Sequence, residues 1–369
     1  MLIILHFNIM KQKMASSFFT EILNPRYKSR AQLDLSSAQG GKVLIISDLH
    51  MGCGKGDDFH QNGAMVRDIL EEYYLKNGWS IILNGDIEEL AKASLAEIQT
   101  KWSDVYRVFD LFAAAGRLYK TLGNHDEDLI FEKNYPYPLY SVVHIETSHI
   151  PLYVYHGHQA SRVYKYFNNV IHLGIRYLLK PIGIRNVSSA RSPFRRFHVE
   201  RQAYNFSLEN NCISIIGHTH RALFESLSRF DYIKFEIERH CRDYVTSQGE
   251  ERERIALEVK SLRTELRKLK RSERRISSRL SLYGDELPLP CLFNSGSAIG
   301  KKGINVIEVD RENISLVYWY EEGKGMKFIS RGWYKVEKIN GYCRSVLNQN
   351  RLDYVKAKIE LFGKDAASR

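Results

Sequence analysis

This chain has little that would hold it in a membrane or staple it together outside a cell. No run of eighteen apolar residues occurs in its 369 positions, which argues against a spanning helix. Its cysteines, Cys53, Cys212, Cys241, Cys291 and Cys343, are odd in number, widely spaced and never arranged C-x-x-C, so a disulfide framework is not expected. A reducing cytoplasm is the simplest home for such thiols. The first residues, Met1-Leu2-Ile3-Ile4-Leu5-His6-Phe7, lack the basic region, long apolar core and small-residue cleavage site of a signal peptide. Met14, followed by Ala15-Ser16-Ser17, reads as an alternative start. Acidic residues are outnumbered, 43 Asp+Glu against 54 Lys+Arg, and the net charge of +11 favours anionic partners: a phosphorylated substrate, nucleic acid or a membrane surface.

What the chain does have is five short motifs rich in Asp, Asn and His. In order they are Asp48-Leu49-His50, Gly85-Asp86, Gly123-Asn124-His125-Asp126, His156-Gly157-His158 and Gly217-His218-Thr219-His220. Four of them follow strand-like runs: Val43 to Ser47, Ser80 to Leu83, Leu152 to Tyr155 and Cys212 to Ile216. The polar residues then fall at strand C-terminal ends, where open α/β sheets place their sites. Asp48 and His50 are two apart, as are His218 and His220, so in extended backbone each pair projects to one side. Carboxylate and imidazole donors together suit borderline divalent ions such as Mn, Fe, Zn or Co. With Cys53 as the one nearby thiol, a structural zinc site is disfavoured. Taken alone, Gly85-Asp86 is an ordinary turn and His156 an ordinary core histidine; the ordered conjunction is what points to chemistry. A buried neutral amide such as Asn124 needs all its partners satisfied, which also favours a functional role.

The series resembles the calcineurin-like metallophosphoesterases, whose pattern is D-x-H, G-D, G-N-H-D/E, H and G-H-x-H, over roughly residues 41–225. The resemblance implies an α/β fold, a four-layer αββα sandwich of two sheets flanked by helices. It also implies that Asp48, His50 and His220 hold a first metal, that Asp86 bridges to a second, and that Asn124, His156 and His218 complete the second. By the same resemblance His125 protonates the leaving oxygen or stabilises the transition state, and Asp126 orients it. Two such ions about 3.5–4 Å apart would clamp a phosphate and generate a bridging hydroxide for in-line attack on phosphorus. His158 stands outside this set, as an outer neighbour of the metals, a substrate contact or an exposed residue.

At 369 residues more than one module is expected. The motifs and composition divide the chain into an N-terminal extension (1–40), a core in three parts (41–160, 201–228 and 284–336), two insertions (161–200 and 229–283) and a C-terminal helix (337–369). From Ser161 to Val199 the first insertion holds eight basic residues and no acidic one: Arg162, Lys165, Arg176, Lys180, Arg185, Arg191, Arg195 and Arg196. Interleaved apolar residues such as Tyr166, Phe167, Leu178 and Leu179 make it either a solvated helical cap or a lid for an anionic, partly apolar substrate near an anionic membrane. Such a cap is similar to that of the UDP-2,3-diacylglucosamine pyrophosphatases, though those enzymes usually carry Arg where this chain has His125.

In the second insertion Ile255, Val259, Leu262, Leu266, Leu269, Ile276 and Leu280 recur at four and three, with one heptad lacking its middle member, a coiled-coil pattern. With an earlier helix from about Ser228 to Val245 and a turn at Ser247-Gln248-Gly249, a helical hairpin is expected. Its outer faces are basic at Arg267, Lys268, Lys270, Arg271, Arg274 and Arg275. It would pack on the fold, form a homodimer or meet an anionic surface. Asn294 to Ser297 reads as a strand-end turn near the metals, Ile304–Val309 with Ile314–Tyr320 as a hairpin, and Tyr342 to Phe362 as one helix stopped at Gly363. The function this supports is a cytoplasmic, two-metal phosphoester or pyrophosphate hydrolase, Mn being the expected ion, with a nucleotide-diphospho-lipid as the finer expectation. The alternatives are a phosphodiesterase or nuclease of the same superfamily, or a non-catalytic metal-binding scaffold.

Overall fold

Side-chain alternation along the strands decides how the layers stack. The computed structural model describes residues 18–160, 193–268 and 289–367, apart from 27, 37–40, 55–56, 225–226, 300–302 and 325–335. A helical turn over 18–23 buries Ile22, and β1 (Arg30–Asp34) and β2 (Lys42–Ile46) follow. Helix α1 (Gly63–Ile69) leads to β3 (Trp79–Asn84), and α2 (Leu95–Lys101) and α3 (Ser103–Ala114) lead to β4 (Leu118–Thr121). Next come β5 (Leu139–Tyr140), β6 (Val142–Glu146) and β7 (Leu152–Val154). In β2 and β3, Leu44, Ile46, Ile81 and Leu83 share one core with Met65, Val66, Val105 and Phe109 of the helices. Val43, Ile45 and Ile82 point the other way, into a second core with Val154 and Ile215. Both faces are buried, so these strands read as unbroken apolar runs.

The remaining elements are α4 (Pro193–Glu209), β8 (Ile213–Ile216), β9 (Leu223–Phe224), β10 (Leu227–Ser228), α5 (Arg229–Thr246) and α6 (Gly249–Lys268). They are followed by β11 (Leu292–Asn294), β12 (Ile304–Val309), β13 (Asn313–Glu321), β14 (Val336–Ile339), β15 (Tyr342–Arg351) and α7 (Leu352–Ala367). One sheet has the order β14-β15-β13-β12-β2-β3-β4-β5, the other β1-β6-β7-β8-β11-β9-β10. Strands β2 to β5 run parallel, as do β7, β8 and β11, so their C-terminal ends lie on a common side. Helices α1 to α3 cover the first sheet, α4 packs against β8 and β11, and α7 packs on α4. This is the four-layer αββα sandwich, with the helical hairpin α5–α6 inserted after β10. Among the described residues no helix is long and apolar enough to cross a membrane.

Several boundaries differ from those expected of the sequence. The stretch before residue 41 is not an appendage: β1 pairs in parallel with β6, Arg30 opposite Val142, and Phe18 and Phe19 pack edge-on against Tyr155. The segment Tyr342 to Phe362 is not one helix. Its first ten residues are β15, paired with β13 from Asn313 to Glu321 and with β14, and α7 runs on past Gly363 to Ala367. Asn340 and Gly341 turn β14 into β15 with φ of 49° and 83°, the left-handed pair that a two-residue hairpin needs. Covering the long edge of β13 outweighs helix formation there, because Ser, Cys, Val and Asn are all modest helix formers. Residues 193–200 belong to the core, not to a cap: α4 starts at Pro193, where a missing N–H costs nothing, and buries Val199, Glu200 and Ala203. The rest of the basic insertion, 161–192, lies outside the described residues, as do Leu269, Ile276 and Leu280. Helices α5 and α6 form the expected hairpin, with Ile255 buried and His240 Nδ1 of one helix 3.2 Å from Glu258 Oε2 of the other.

A buried ion pair ties the sheet extension to the core. Arg344 of β15 donates to Glu308 of β12 at 3.0 Å, and Glu308 also accepts the Tyr74 hydroxyl at 2.7 Å. Arg344→Met would strand that carboxylate, so stability should fall by about 3–5 kcal/mol in urea unfolding, with metal content unchanged in the folded protein.

Candidate metal centre

Six strands end at one place. After β2 come Asp48 and His50, after β3 Asp86, after β4 Asn124 and His125, after β7 His156, after β8 His218 and His220, and after β11 Ser295. Hydrogen bonds sew the two sheets together there, Asn84 Nδ2 donating to Tyr155 O at 3.2 Å and His156 Nδ1 lying 2.9 Å from Asn84 O; within one sheet, Gly217 N donates to His156 O at 3.0 Å.

Extended alternation does not account for the paired donors. Asp48, His50, Asp86, His218 and His220 have φ of 56°, 50°, 53°, 63° and 55°, all left-handed. Such backbone costs a non-glycine residue about 1–2 kcal/mol and persists only where its surroundings fix it. Here Asp48 N donates to Gly85 O at 3.1 Å and His50 N to Asp86 O at 3.0 Å, while His218 N reaches Asp48 Oδ2 at 3.1 Å. Glycines let these loops close. A Cβ on Gly85 would stand 2.5 Å from His156 Nδ1, and one on Gly217 would stand 2.6 Å from Ser47 Oγ.

Three donor groups result, one of them His50, Glu89 and His125, and the other two share Asp86. Asp48, His50, Asp86 and His220 bring one ligand atom each within 4.8 Å of one another, and so do Asp86, His156 and His218. Asp86 belongs to both. In the first group His50 Nε2 and His220 Nε2 face each other at 3.2 Å, and His220 Nε2 lies 3.0 Å from Asp48 Oδ1. In the second, His156 Nε2 is paired with Asp86 Oδ2 at 3.1 Å, while His218 Nε2 is buried without a hydrogen bond. Asn124 Oδ1 is likewise buried without one, between Gly123 and a His125 N–H that donates to Asp86 Oδ1 at 2.8 Å. Buried polar atoms left unpaired in this way are rare, and a divalent ion would satisfy such donors.

Electrostatics agree with anionic ligands. Burial pushes Asp86 up, but His156 and the other nearby imidazoles hold it well below the usual carboxylate range. Asp48 is lowered in the same way, His220 outweighing burial. His218 is pushed down to about 3 by burial and by His156 beside it, so it presents a neutral nitrogen.

His125 sits at the edge of this centre, held by Glu89. Its Nδ1 is 2.8 Å from Glu89 Oε1, while Glu89 Oε2 takes His50 Nδ1 at 3.0 Å. Burial opposes charge on the imidazole, but the Glu89 bond and the Asp86 charge outweigh it and raise His125 to about 9. Glu89 was not among the expected residues, although a carboxylate three positions beyond Asp86 is the signal that could have found it. Asp126 does not orient His125. Its buried carboxylate accepts Gly123 N at 2.6 Å, Ile87 N at 2.8 Å and the Lys120 ammonium, thereby fastening the Asp86 loop to the Asn124 loop. Ser295, in the turn expected near the metals, meets Ser47 at 2.8 Å, and Ser47 Oγ donates to Asp48 Oδ2 at 2.5 Å. His158 is buried beside His156 and His218, at ring-centroid distances of 5.4 and 6.3 Å.

Carboxylates and imidazoles gathered at the strand ends of two packed sheets define a metal-dependent hydrolase centre. Residues 41–222 match the family model described as calcineurin-like phosphoesterase, and the chain belongs to that metallophosphoesterase superfamily. Among solved structures it is similar to a single-mutant Vps29 from Entamoeba histolytica, at 12% identity and a TM-score of 0.33, covering 83% of this chain and 99% of that one. It is also similar to YfcE, a phosphoesterase from E. coli, at 10% identity and a TM-score of 0.33, with 84% and 99% covered. Likeness at that score decides nothing about substrate. No curated protein matches the chain.

Collision and backbone strain can be separated at two glycines. Gly85→Ala, which drives a methyl into His156, should leave the folded protein short of metal by elemental analysis. Gly116→Ala, at φ 66° with nothing within 4 Å of the new methyl, should keep its metal and lose about 1 kcal/mol of stability.

Proposed function

We propose that the chain hydrolyses a phosphoester or pyrophosphate bond of an anionic substrate using two divalent ions. The observation that carries this is Asp86 standing in both donor groups, in contact with His156 Nε2, while His218 Nε2 and Asn124 Oδ1 are buried without a hydrogen bond. Asp48, His50, Asp86 and His220 would hold one ion, and Asp86, Asn124, His156 and His218 the other. Mn suits this mix of carboxylate, amide and imidazole, and Fe, Zn or Co would also fit. When bound, such ions polarise phosphoryl oxygens and make a water ionise near neutral pH.

The protein's own contribution is proton management and positioning. Glu89 fixes the His125 ring through Nδ1 and favours its charged form, which leaves Nε2 to give a proton to the departing oxygen. Glu89 also orients His50 through Nδ1, so one carboxylate aligns both a ligand and the proton donor. Backbone fixed at left-handed φ presents the donors without reorganisation when substrate arrives. For the substrate, the net charge of +11 and the basic, apolar sequence from Ser161 to Ser192 support a nucleotide-diphospho-lipid at an anionic membrane surface.

The test is hydrolysis of bis-p-nitrophenyl phosphate, p-nitrophenyl phosphate and a UDP-sugar lipid by metal-stripped protein refilled with Mn. Asp86→Ala should lose metal and activity together, whereas His125→Ala should keep its metal and lose about 10²–10⁴-fold in kcat. Full activity of His125→Ala on a poor leaving group would remove its acid role. Activity confined to the diester, or to DNA or RNA with a steep salt slope, would replace the lipid substrate by a phosphodiester.

A further inference from the structure

The loop that carries His218 and His220 is gripped from behind by a residue with no part in the chemistry above. Glu200, on α4, is completely buried. A buried carboxylate is costly unless it is paired and hydrogen-bonded, and all the bonds around this one go to the residues of a single loop. Thr219 Oγ1 donates to Glu200 Oε1 at 2.9 Å, Arg221 Nε donates to the same oxygen at 3.2 Å, and the Arg221 guanidinium closes on Oε2.

Thr219 is the hinge of this grip. It is fully buried between the two histidines, and its hydroxyl accepts Asn294 Nδ2 at 2.9 Å while giving its proton to Glu200. Asn294 Nδ2 also donates to Gly217 O at 3.0 Å, so the loop is tied both to α4 and to β11. On either side of Thr219, His218 and His220 hold their left-handed backbone and face different donor groups. Strained backbone of this kind needs surroundings that over-determine it. Pinning the middle residue toward α4 turns both neighbours to the centre.

We infer that Glu200 is a positioning residue for both metal positions, acting through Thr219 and Arg221 on His218 and His220. The inference rests on the two-metal function proposed above. Outer partners of metal ligands typically change affinity by about 10–100-fold when removed. Because one carboxylate steadies a ligand of each group, the loss should fall on both binding steps, unlike the effect of removing a single ligand.

The experiment is a Mn titration of the full chain against a competing chelator, resolving both binding steps, with thermal melting of the metal-free protein alongside. Glu200→Gln keeps an acceptor for Thr219 but loses the charge opposite Arg221; Thr219→Val deletes the hydroxyl at nearly equal size and leaves the Arg221 pair in place. Each should weaken both steps at least about tenfold, and the double variant should be little worse than the weaker single, as expected for two parts of one link. Glu308→Gln, which disturbs a buried ion pair that touches none of the donor residues, should lower the melting temperature and leave both affinities alone. Wild-type affinity at both steps in Glu200→Gln and Thr219→Val would overturn the inference, as would losses that follow melting temperature in the same proportion as Glu308→Gln. Should Glu200→Gln fold poorly, Thr219→Val carries the same test. A wild-type chain that binds neither ion would instead overturn the two-metal function, and this inference with it.

Discussion

The centre depends on a seam of hydrogen bonds where the ends of two sheets meet. Asn84 closes β3 in one sheet and is bonded to Tyr155 and His156, which follow β7 in the other. Asp48 follows β2, yet its carboxylate receives the N–H of His218, which follows β8. Both donor groups that share Asp86 draw on the two sheets: Asp48, His50 and Asp86 come from one, His156, His218 and His220 from the other. The relative placement of two layers therefore fixes the spacing of the ligand atoms, and two well-packed cores are what make that placement definite.

Strain and support are matched around that seam. Five donor residues adopt backbone that favours glycine, and true glycines stand next to them where even a methyl group would collide. The support comes from buried carboxylates around the two donor groups that share Asp86. Glu89 holds two imidazoles, Asp126 joins two loops with the Lys120 ammonium beneath it, and Glu200 holds a third loop. Burying so much charge is tolerable because each oxygen meets N–H, O–H or ammonium donors.

How much of this was legible in the sequence depended on the range of the interaction concerned. The donors could be found because motif order and strand-like runs are local, and the structure brings Asp48, His50, Asp86, His156, His218 and His220 together. The αββα architecture followed from the same motifs through their family resemblance. The reason first given for the paired donors, alternation along a strand, was mistaken, since left-handed φ is set by bonds from loops far away in sequence. Asp126 was misassigned because adjacency to His125 says nothing of which way a carboxylate points. Tyr342 to Arg351 was misread as helix although Asn340-Gly341 announces a hairpin, because the edge of β13 that it covers is a tertiary fact. β1 was overlooked for the same reason: its partner, β6, lies more than a hundred residues on.

That long reach also bears on the order in which the molecule is built. Arg30 must find Val142, and Asp48 must find His218, before either the first sheet edge or the first donor group exists. Pairings so distant in sequence form slowly, because the loop-closure entropy is lost before the contacts reward it. The ligand set is thus among the last things to assemble, and a divalent ion has no preformed site on the nascent chain. A divalent ion bound at the centre would act as a latch on a finished fold, drawing the equilibrium toward the native state by mass action once both sheets have docked.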